Sequence, residues 1–295
     1  MNDTQEKIIK ESINALKNLK EKNPLTDCIT NFVTINDCAN AILAIGGSPI
    51  MGDDPREIER FIEIADALVI NMGAVTKSQI DAIRIGTSYG KKINTPIVLD
   101  PVGVGISDLR NKIILELINK SKLSAIRGNM SEIKAIAKLI NLDEIKSSNI
   151  SESKGVDVSK DDQISKENLK TNGKIVASLA KEINTVIISS GPIDIISDGK
   201  YIFGCENGDP MMAKITGSGC MLTSIIGSFC GVNKPLIGAV TGTIAMGIAG
   251  AEARKFVRAE NSGTGTFRVK LIDYLSNINE ELLLKEAKLY EINLD

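Results

Sequence analysis

Short, uniformly apolar runs alternate along this chain with longer segments whose apolar residues recur every three or four positions. ALVINM (67–72), TPIVLD (95–100), LSAIR (123–127) and TVIISS (185–190) have strand length, are rich in Val and Ile, and lack in-out alternation. Strands covered on both faces read this way. Helical patterns fill the intervals at about 55–64, 76–88, 108–119, 131–139 and 173–183. The rhythm predicts an α/β fold: a mostly parallel, doubly wound sheet with helices on both faces. IDIISDGKYIF (193–203), with Asp198 and Gly199 between two β-rich runs, predicts a hairpin that adds antiparallel strands. A further helix is predicted at about 5–22, with Ile8, Ile9, Ile13, Leu16 and Leu19 as its apolar residues, and from Ser218 onward the chain reads as packed, small-residue-rich helices. No repeat or linker divides the sequence, so residues 1–295 are read as a single domain with one polar surface insertion at about 143–172.

In doubly wound sheets, ligands collect beyond the C-terminal ends of the strands. Met72 is followed by Gly73, Asp100 by Pro101 and Gly103, Arg127 by Gly128 and Asn129, and Ser190 by Gly191. Every candidate strand therefore ends in glycine near a polar or ionisable residue, which predicts one shared crevice.

Composition narrows what the crevice can do. With 43% hydrophobic residues, a formal net charge of -2, six Phe, four Tyr and no Trp, the chain has neither the basic excess nor the stacking platforms of a nucleic-acid binder. Cys28, Cys38, Cys205, Cys220 and Cys230 form no CxxC pair, which points to a reducing cytoplasm. The N-terminal segment lacks a signal-peptide core. The apolar stretch at 237–251 contains four glycines and falls short of the roughly 18 residues of a membrane span, so no membrane association is expected. Histidine is absent altogether. Ser-His-Asp and Cys-His hydrolysis, His-ligated zinc and histidine proton shuttles are excluded for a chain acting alone, leaving Asp, Glu, Cys, Lys or Tyr as any general base.

KITGSGCMLTSIIGSFCG (214–231) is the segment richest in candidate chemistry. Thr216, Gly217, Ser218, Gly219 and Cys220 form a tight turn ahead of a helix, whose first N–H groups and dipole favour an anion. The same glycines also suit close packing or a strained turn. No GK[ST] follows, and the motif does not follow a strand as GxGxxG would. Asp100 and Glu132 stand where a phosphate-bound Mg²⁺ takes carboxylates. Glu132 equally completes an N-x-x-E helix cap with Asn129. Arg127 is either a phosphate clamp or one half of a surface ion pair. Cys220, at a helix start, has the position of a thiol with a lowered pKa, a nucleophile or weak base, and also that of a small apolar filler.

CITNFVTINDCANAILAIGGSPIM (28–51), INMG (70–73), VLDPVGVG (98–105), IRGNMSEI (126–133), ISSGPIDIISDG (188–199), NGDPMMAKITGSGC (207–220) and GTGTFRVKLID (263–273) together closely resemble hydroxyethylthiazole kinases. These are thiamine-salvage enzymes of the ribokinase-like superfamily. The resemblance covers about 25–275 and implies ATP-dependent phosphorylation of 4-methyl-5-(2-hydroxyethyl)thiazole. It assigns Arg127, Asn129, Ser190 and Gly191 to ATP, and Asp100 and Glu132 to Mg²⁺. It gives 217–220 to the transferring phosphoryl group, and Met51, Asn31 and Gly217 to the thiazole. It also implies a homotrimer with sites between subunits. Sugar-kinase relatives close the glycine motif with an aspartate base, where this family and this chain carry cysteine. Ser190 replaces the usual threonine, GTGTF replaces GPGSF, and the polar stretch is longer than usual. Hydroxymethylpyrimidine or pyridoxal kinases and dehydratase-type relatives are the alternative readings; the CITN and SPIM segments set the chain apart from those kinases.

Overall fold

The computed structural model describes residues 3–146 and 163–294. Strands β1 (Leu25–Ile29), β2 (Ser48–Ile50), β3 (Ala67–Asn71), β4 (Ile97–Asp100), β5 (Ala125–Asn129) and β6 (Val186–Ser190) run parallel. The predicted hairpin, β7 (Asp194–Ser197) and β8 (Ile202–Cys205), and then β9 (Leu289–Glu291), extend the sheet antiparallel. The strand order is β2-β1-β3-β4-β5-β6-β7-β8-β9. The chain leaves β1 toward one edge and returns on its other side, so the C-terminal ends of β1 and β3 flank a crevice that neither connection covers.

One face of the sheet carries α1 (Asp3–Lys22), α2 (Ile35–Ile45), α9 (Ser218–Val232), α10 (Pro235–Ala259), α11 (Thr264–Ser276) and α12 (Glu280–Glu286). The other carries α3 (Ile58–Ile64), α4 (Lys77–Ile93), α5 (Asp108–Lys120), α6 (Met130–Leu139) and α8 (Leu169–Glu182), with the short α7 (Asp143–Lys146) against α8. Alternation sorts the strand residues between the layers. Cys28, Val69, Val98, Ala125 and Ile188 pack under α9 and α10, while Ile29, Leu68, Ile70, Leu99, Ile126 and Ile187 pack under α3 to α8. Two residues beyond Val69, Val98, Ala125 and Ile188 stand Asn71, Asp100, Arg127 and Ser190. The pleat therefore turns all four toward α9.

Several boundaries differ from the sequence reading. β1, β2 and β9 lack a strand signal: β1 contains buried Thr26 and Asp27, and β2 is a three-residue edge strand holding Pro49. α4 runs on to Ile93, where Asn94 ends it in the left-handed conformation. α8 begins at Leu169, inside the stretch assigned to the polar insertion, because Asn172, Ile175 and Val176 are buried; residues 147–162 of that stretch lie outside the described residues. The apolar stretch at 237–251 belongs to a longer helix, α10, which passes the length and composition test for crossing a membrane, yet 83% of its most apolar window is buried inside this fold. Gly238 explains part of its composition, since a Cβ there would lie 3.0 Å from the Cys230 backbone nitrogen.

Candidate active site

The TGSGC turn stands over the crevice. Gly217 caps α9 with φ +84°, and the first helical bond runs from the Met221 N–H to the Gly217 carbonyl at 2.8 Å. The N–H groups ahead of it have no carbonyl one turn back. A Cβ on Gly217 would come within 2.6 Å of Thr34 Cγ2, and one on Gly219 within 2.9 Å of Arg127 Cζ. The close-packing and anion-site readings thus coincide: the missing side chains let a guanidinium lie against the first turn of α9.

Arg127 is no surface ion pair. Its side chain is 14% exposed, its Nη1 lies 3.8 Å from Asp100 Oδ2, and its Nε donates to Ser190 Oγ at 3.0 Å. Asp100 is fully buried. Its Oδ2 accepts from Thr223 Oγ1 and Asn71 Nδ2, each at 2.9 Å, while its Oδ1 is buried with no hydrogen-bond partner. Burial raises the Asp100 pKa, against the pull of Arg127, Thr223 and Asn71. Glu132 is the N3 member of a complete capping box: Asn129 Oδ1 accepts from the Glu132 N–H at 2.9 Å, and Glu132 Oε2 accepts from the Asn129 N–H at 2.8 Å. Its Oε1 accepts from the Gly103 N–H at 3.2 Å. Burial and the nearby Asp100 charge push its pKa up to about 7. Glu132 is therefore at once a helix cap and the second acid of the crevice.

Cys220, in the first turn of α9, is half-buried; the other four cysteines are buried. Asn71 Nδ2 reaches its Sγ at 3.2 Å and Asn31 Nδ2 at 3.6 Å. Its thiol does not have the lowered pKa predicted from its helix position. Burial, then the charge of Asp100, push it up to about 11, outweighing Thr34 and Arg127.

A sequence profile of the hydroxyethylthiazole kinase family matches residues 16–281. Hydroxyethylthiazole kinase 2 of Methanosphaera stadtmanae is 53% identical over 94% of this chain and 97% of its own length. The hydroxyethylthiazole kinase of Methanobrevibacter smithii is 52% identical over 97% and 98%. The chain belongs to the hydroxyethylthiazole kinase family. A solved hydroxyethylthiazole kinase structure from Pyrococcus horikoshii OT3 superposes with a TM-score of 0.82 at 33% identity, covering 96% of this chain and all of that one. A ribokinase-like superfamily protein from Enterococcus faecalis V583, 13% identical with a TM-score of 0.53, shares the fold. The doubly wound α/β architecture is the ribokinase-like one.

Within this hydroxyethylthiazole kinase fold, Asn31, Asp100, Arg127, Asn129, Glu132, Ser190, Gly217, Gly219 and Cys220 gather at the C-terminal edge of the sheet, with Ser218 opening α9. Gly191 sits beyond β6, its N–H donating to Asp194 Oδ1 at 3.0 Å. Met51 stands apart: it follows β2 at the sheet edge, half-buried against the core, with β1 between it and Asn71. Three residues of the cluster receive no role from the sequence reading, although Asn71 and Asp194 fall within its motifs. Asn71 and Thr223 hold Asp100. Asp194 lies near Arg127 and Ser190, its pKa pushed up to about 7 by burial. The available signal for Asn71 was an amide ending an otherwise apolar strand; Thr223, inside an apolar helix, gave a weaker one.

The acids fit a magnesium ion of the kind that relies on substrate for most of its ligands. No group of three or more His, Cys, Asp or Glu side chains suited to a metal exists among the described residues. Mg²⁺ in phosphoryl-transfer sites takes one or two carboxylates, with phosphate oxygens and water completing its shell. Asp100 and Glu132 are two carboxylates of that kind, and Asp100 Oδ1, buried without a hydrogen-bond partner, is an unused acceptor.

Proposed function

We propose that this chain transfers the γ-phosphoryl group of ATP to the hydroxyl of 4-methyl-5-(2-hydroxyethyl)thiazole, forming its phosphate and ADP in thiamine synthesis or salvage. The observation that carries the reading is the buried Asp100–Arg127 pair set against the first turn of α9 at Gly219. Phosphoryl transfer through a loose transition state needs charge neutralisation and alignment more than covalent help. Here the free N–H groups of 217–220 receive the transferring group, and Arg127, steadied by Ser190 and Asp100, balances its charge. Asp100 and Glu132 would hold Mg²⁺, which when bound neutralises the β- and γ-phosphates. Cys220, protonated at neutral pH given its raised pKa, orients the acceptor hydroxyl, whose proton passes to an oxygen of the transferred phosphoryl group as the new P–O bond forms and the bond to ADP breaks.

Met51 and Asn31 are assigned to the thiazole pocket. Because Met51 lies at the sheet edge, the pocket is proposed to be completed by a second subunit of a homotrimer. Phe32 and Val33, directly after Asn31, are 75% and 57% exposed, an apolar edge suited to such a contact. A coupled ADP-release assay with Mg-ATP, comparing the thiazole alcohol with hydroxymethylpyrimidine, pyridoxal and no acceptor, tests the reading. Turnover with the thiazole alone supports it; turnover only with another alcohol rejects the substrate, and none at all rejects catalysis.

A further inference from the structure

The backbone fixes the orientation of both asparagines in the crevice. The Gly73 N–H, which can only donate, reaches Asn71 Oδ1 at 2.8 Å. The N–H groups of Val33 and Thr34 likewise donate to Asn31 Oδ1 at 3.1 and 3.2 Å. Each Nδ2 is thereby turned inward. Asn71 Nδ2 donates to Asp100 Oδ2 at 2.9 Å and to Cys220 Sγ at 3.2 Å. Asn31 Nδ2 donates to Asn71 Oδ1 at 3.0 Å and to Cys220 Sγ at 3.6 Å. All the hydrogen-bonding capacity of the Asn71 side chain is in use.

We infer that Asn71 is a positioning residue for the phosphoryl transfer proposed above, acting through Cys220. Two amide donors on the buried side of Sγ make the sulfur an acceptor there. The thiol hydrogen is left to point toward the half-exposed side, where an acceptor hydroxyl would dock. Through its other hydrogen Asn71 ties this orientation to Asp100, and so to Arg127. Asn71 thus couples the acceptor side of the crevice to the phosphate side, and it does so from β3, whose register with β4 sets Asn71 opposite Asp100.

The test is a double-mutant cycle on the full chain, Asn71→Asp and Asn71→Ala each with Cys220→Ala, with melting temperatures as a check on folding. Asn71→Asp keeps the shape and removes the donor. It is expected to lower kcat for the thiazole about 10- to 100-fold, as small misplacements of reacting groups do, while KM for ATP stays within about threefold. In the Cys220→Ala background the same change should cost at least about threefold less than in wild type, the remaining loss being that of the direct Asn71–Asp100 bond. If Asn71→Asp does not fold, Asn71→Ala carries the cycle. Multiplicative losses, or single variants as active as wild type, overturn the inference. A second readout is independent of the kinase assignment: the rate of Cys220 alkylation by iodoacetamide at pH 8, with the four buried thiols protected in the native protein. Asn71→Asp should slow it at least about fivefold, because an oxygen replaces the N–H donor that stabilises the thiolate at the sulfur. An unchanged rate overturns the inference even where the thiazole proves not to be the substrate. An inactive wild type with a slowed Asn71→Asp rate rejects only the assigned reaction.

Discussion

Replacing Gly219 with alanine separates the role of the Arg127 guanidinium from the stability of the fold. The new methyl would sit 2.9 Å from both Cζ and Nη2 of Arg127, too close to coexist with the present side-chain position. Its obstacle is the far end of a long, rotatable side chain, so the backbone of α9 can stay in place. Alanine gains about 0.5–1 kcal/mol over glycine in a helix, against a displaced guanidinium that loses its 3.0 Å bond to Ser190 and its 3.8 Å approach to Asp100. Hydrogen bonds to charged groups contribute about 1.5–3 kcal/mol, so the net loss of stability should be about 1–2 kcal/mol. Catalysis should suffer more. Removing one preorganised group from the charge developing in a transition state costs about 10²–10³ in rate, or about 3–4 kcal/mol. Purified Gly219→Ala protein should melt close to wild type and lose that factor in kcat/KM for ATP in the ADP-release assay. A folded variant within about threefold of wild type would refute the assignment of Arg127 to the phosphates.

Asp27→Asn should alter the pH dependence of stability. Asp27 is fully buried, its Oδ1 accepting from the Gly52 N–H at 3.0 Å and its Oδ2 unpartnered; burial, with smaller contributions from Asp53 and Glu57, raises its pKa to about 7. The fold favours the protonated form, so this contribution is fully present below the ordinary carboxylate range and is lost as pH rises through about 7, by about 4 kcal/mol at most. The urea midpoint of Asp27→Asn should exceed wild type at pH 8.5 and match it near pH 4; parallel curves would sink the argument. Glu132→Gln keeps a residue that can close the capping box while removing the acid, so the fold should survive and the Mg²⁺ concentration for half-maximal activity should rise about tenfold; an unchanged requirement removes Glu132 from the metal. Arg110 donates to the carbonyls of Val102 at 2.8 Å and Gly73 at 2.9 Å, tying the loops after β4 and β3. Arg110→Met should cost about 1–3 kcal/mol in chemical denaturation, and a loss below about 0.5 kcal/mol would show that the loops hold without it.

The sequence by itself determined whatever depended on local period and chemistry. Val- and Ile-rich runs without alternation marked β3 to β6 as strands buried on both sides, and the asparagine-to-glutamate spacing at 129 and 132 encoded the capping box. The order of the motifs, CITN through GTGTF, carried the family, and the absence of histidine excluded whole reaction classes for a chain acting alone. What depended on distant partners was decided only in three dimensions. β1 gave no strand signal because Thr26 and Asp27 are polar, and their buried partners, Ser228 Oγ for Thr26 at 2.8 Å and the Gly52 N–H for one oxygen of Asp27, lie far away along the chain or across the sheet. The raised pKa of Cys220 reverses the expectation from its helix position because burial, and then the charge of Asp100, far from it in sequence, push it up. Asn71 became visible only when β3 paired with β4 in register and α9 closed over them, since a hydrogen-bond hub is a property of the groups that meet and not of any one residue.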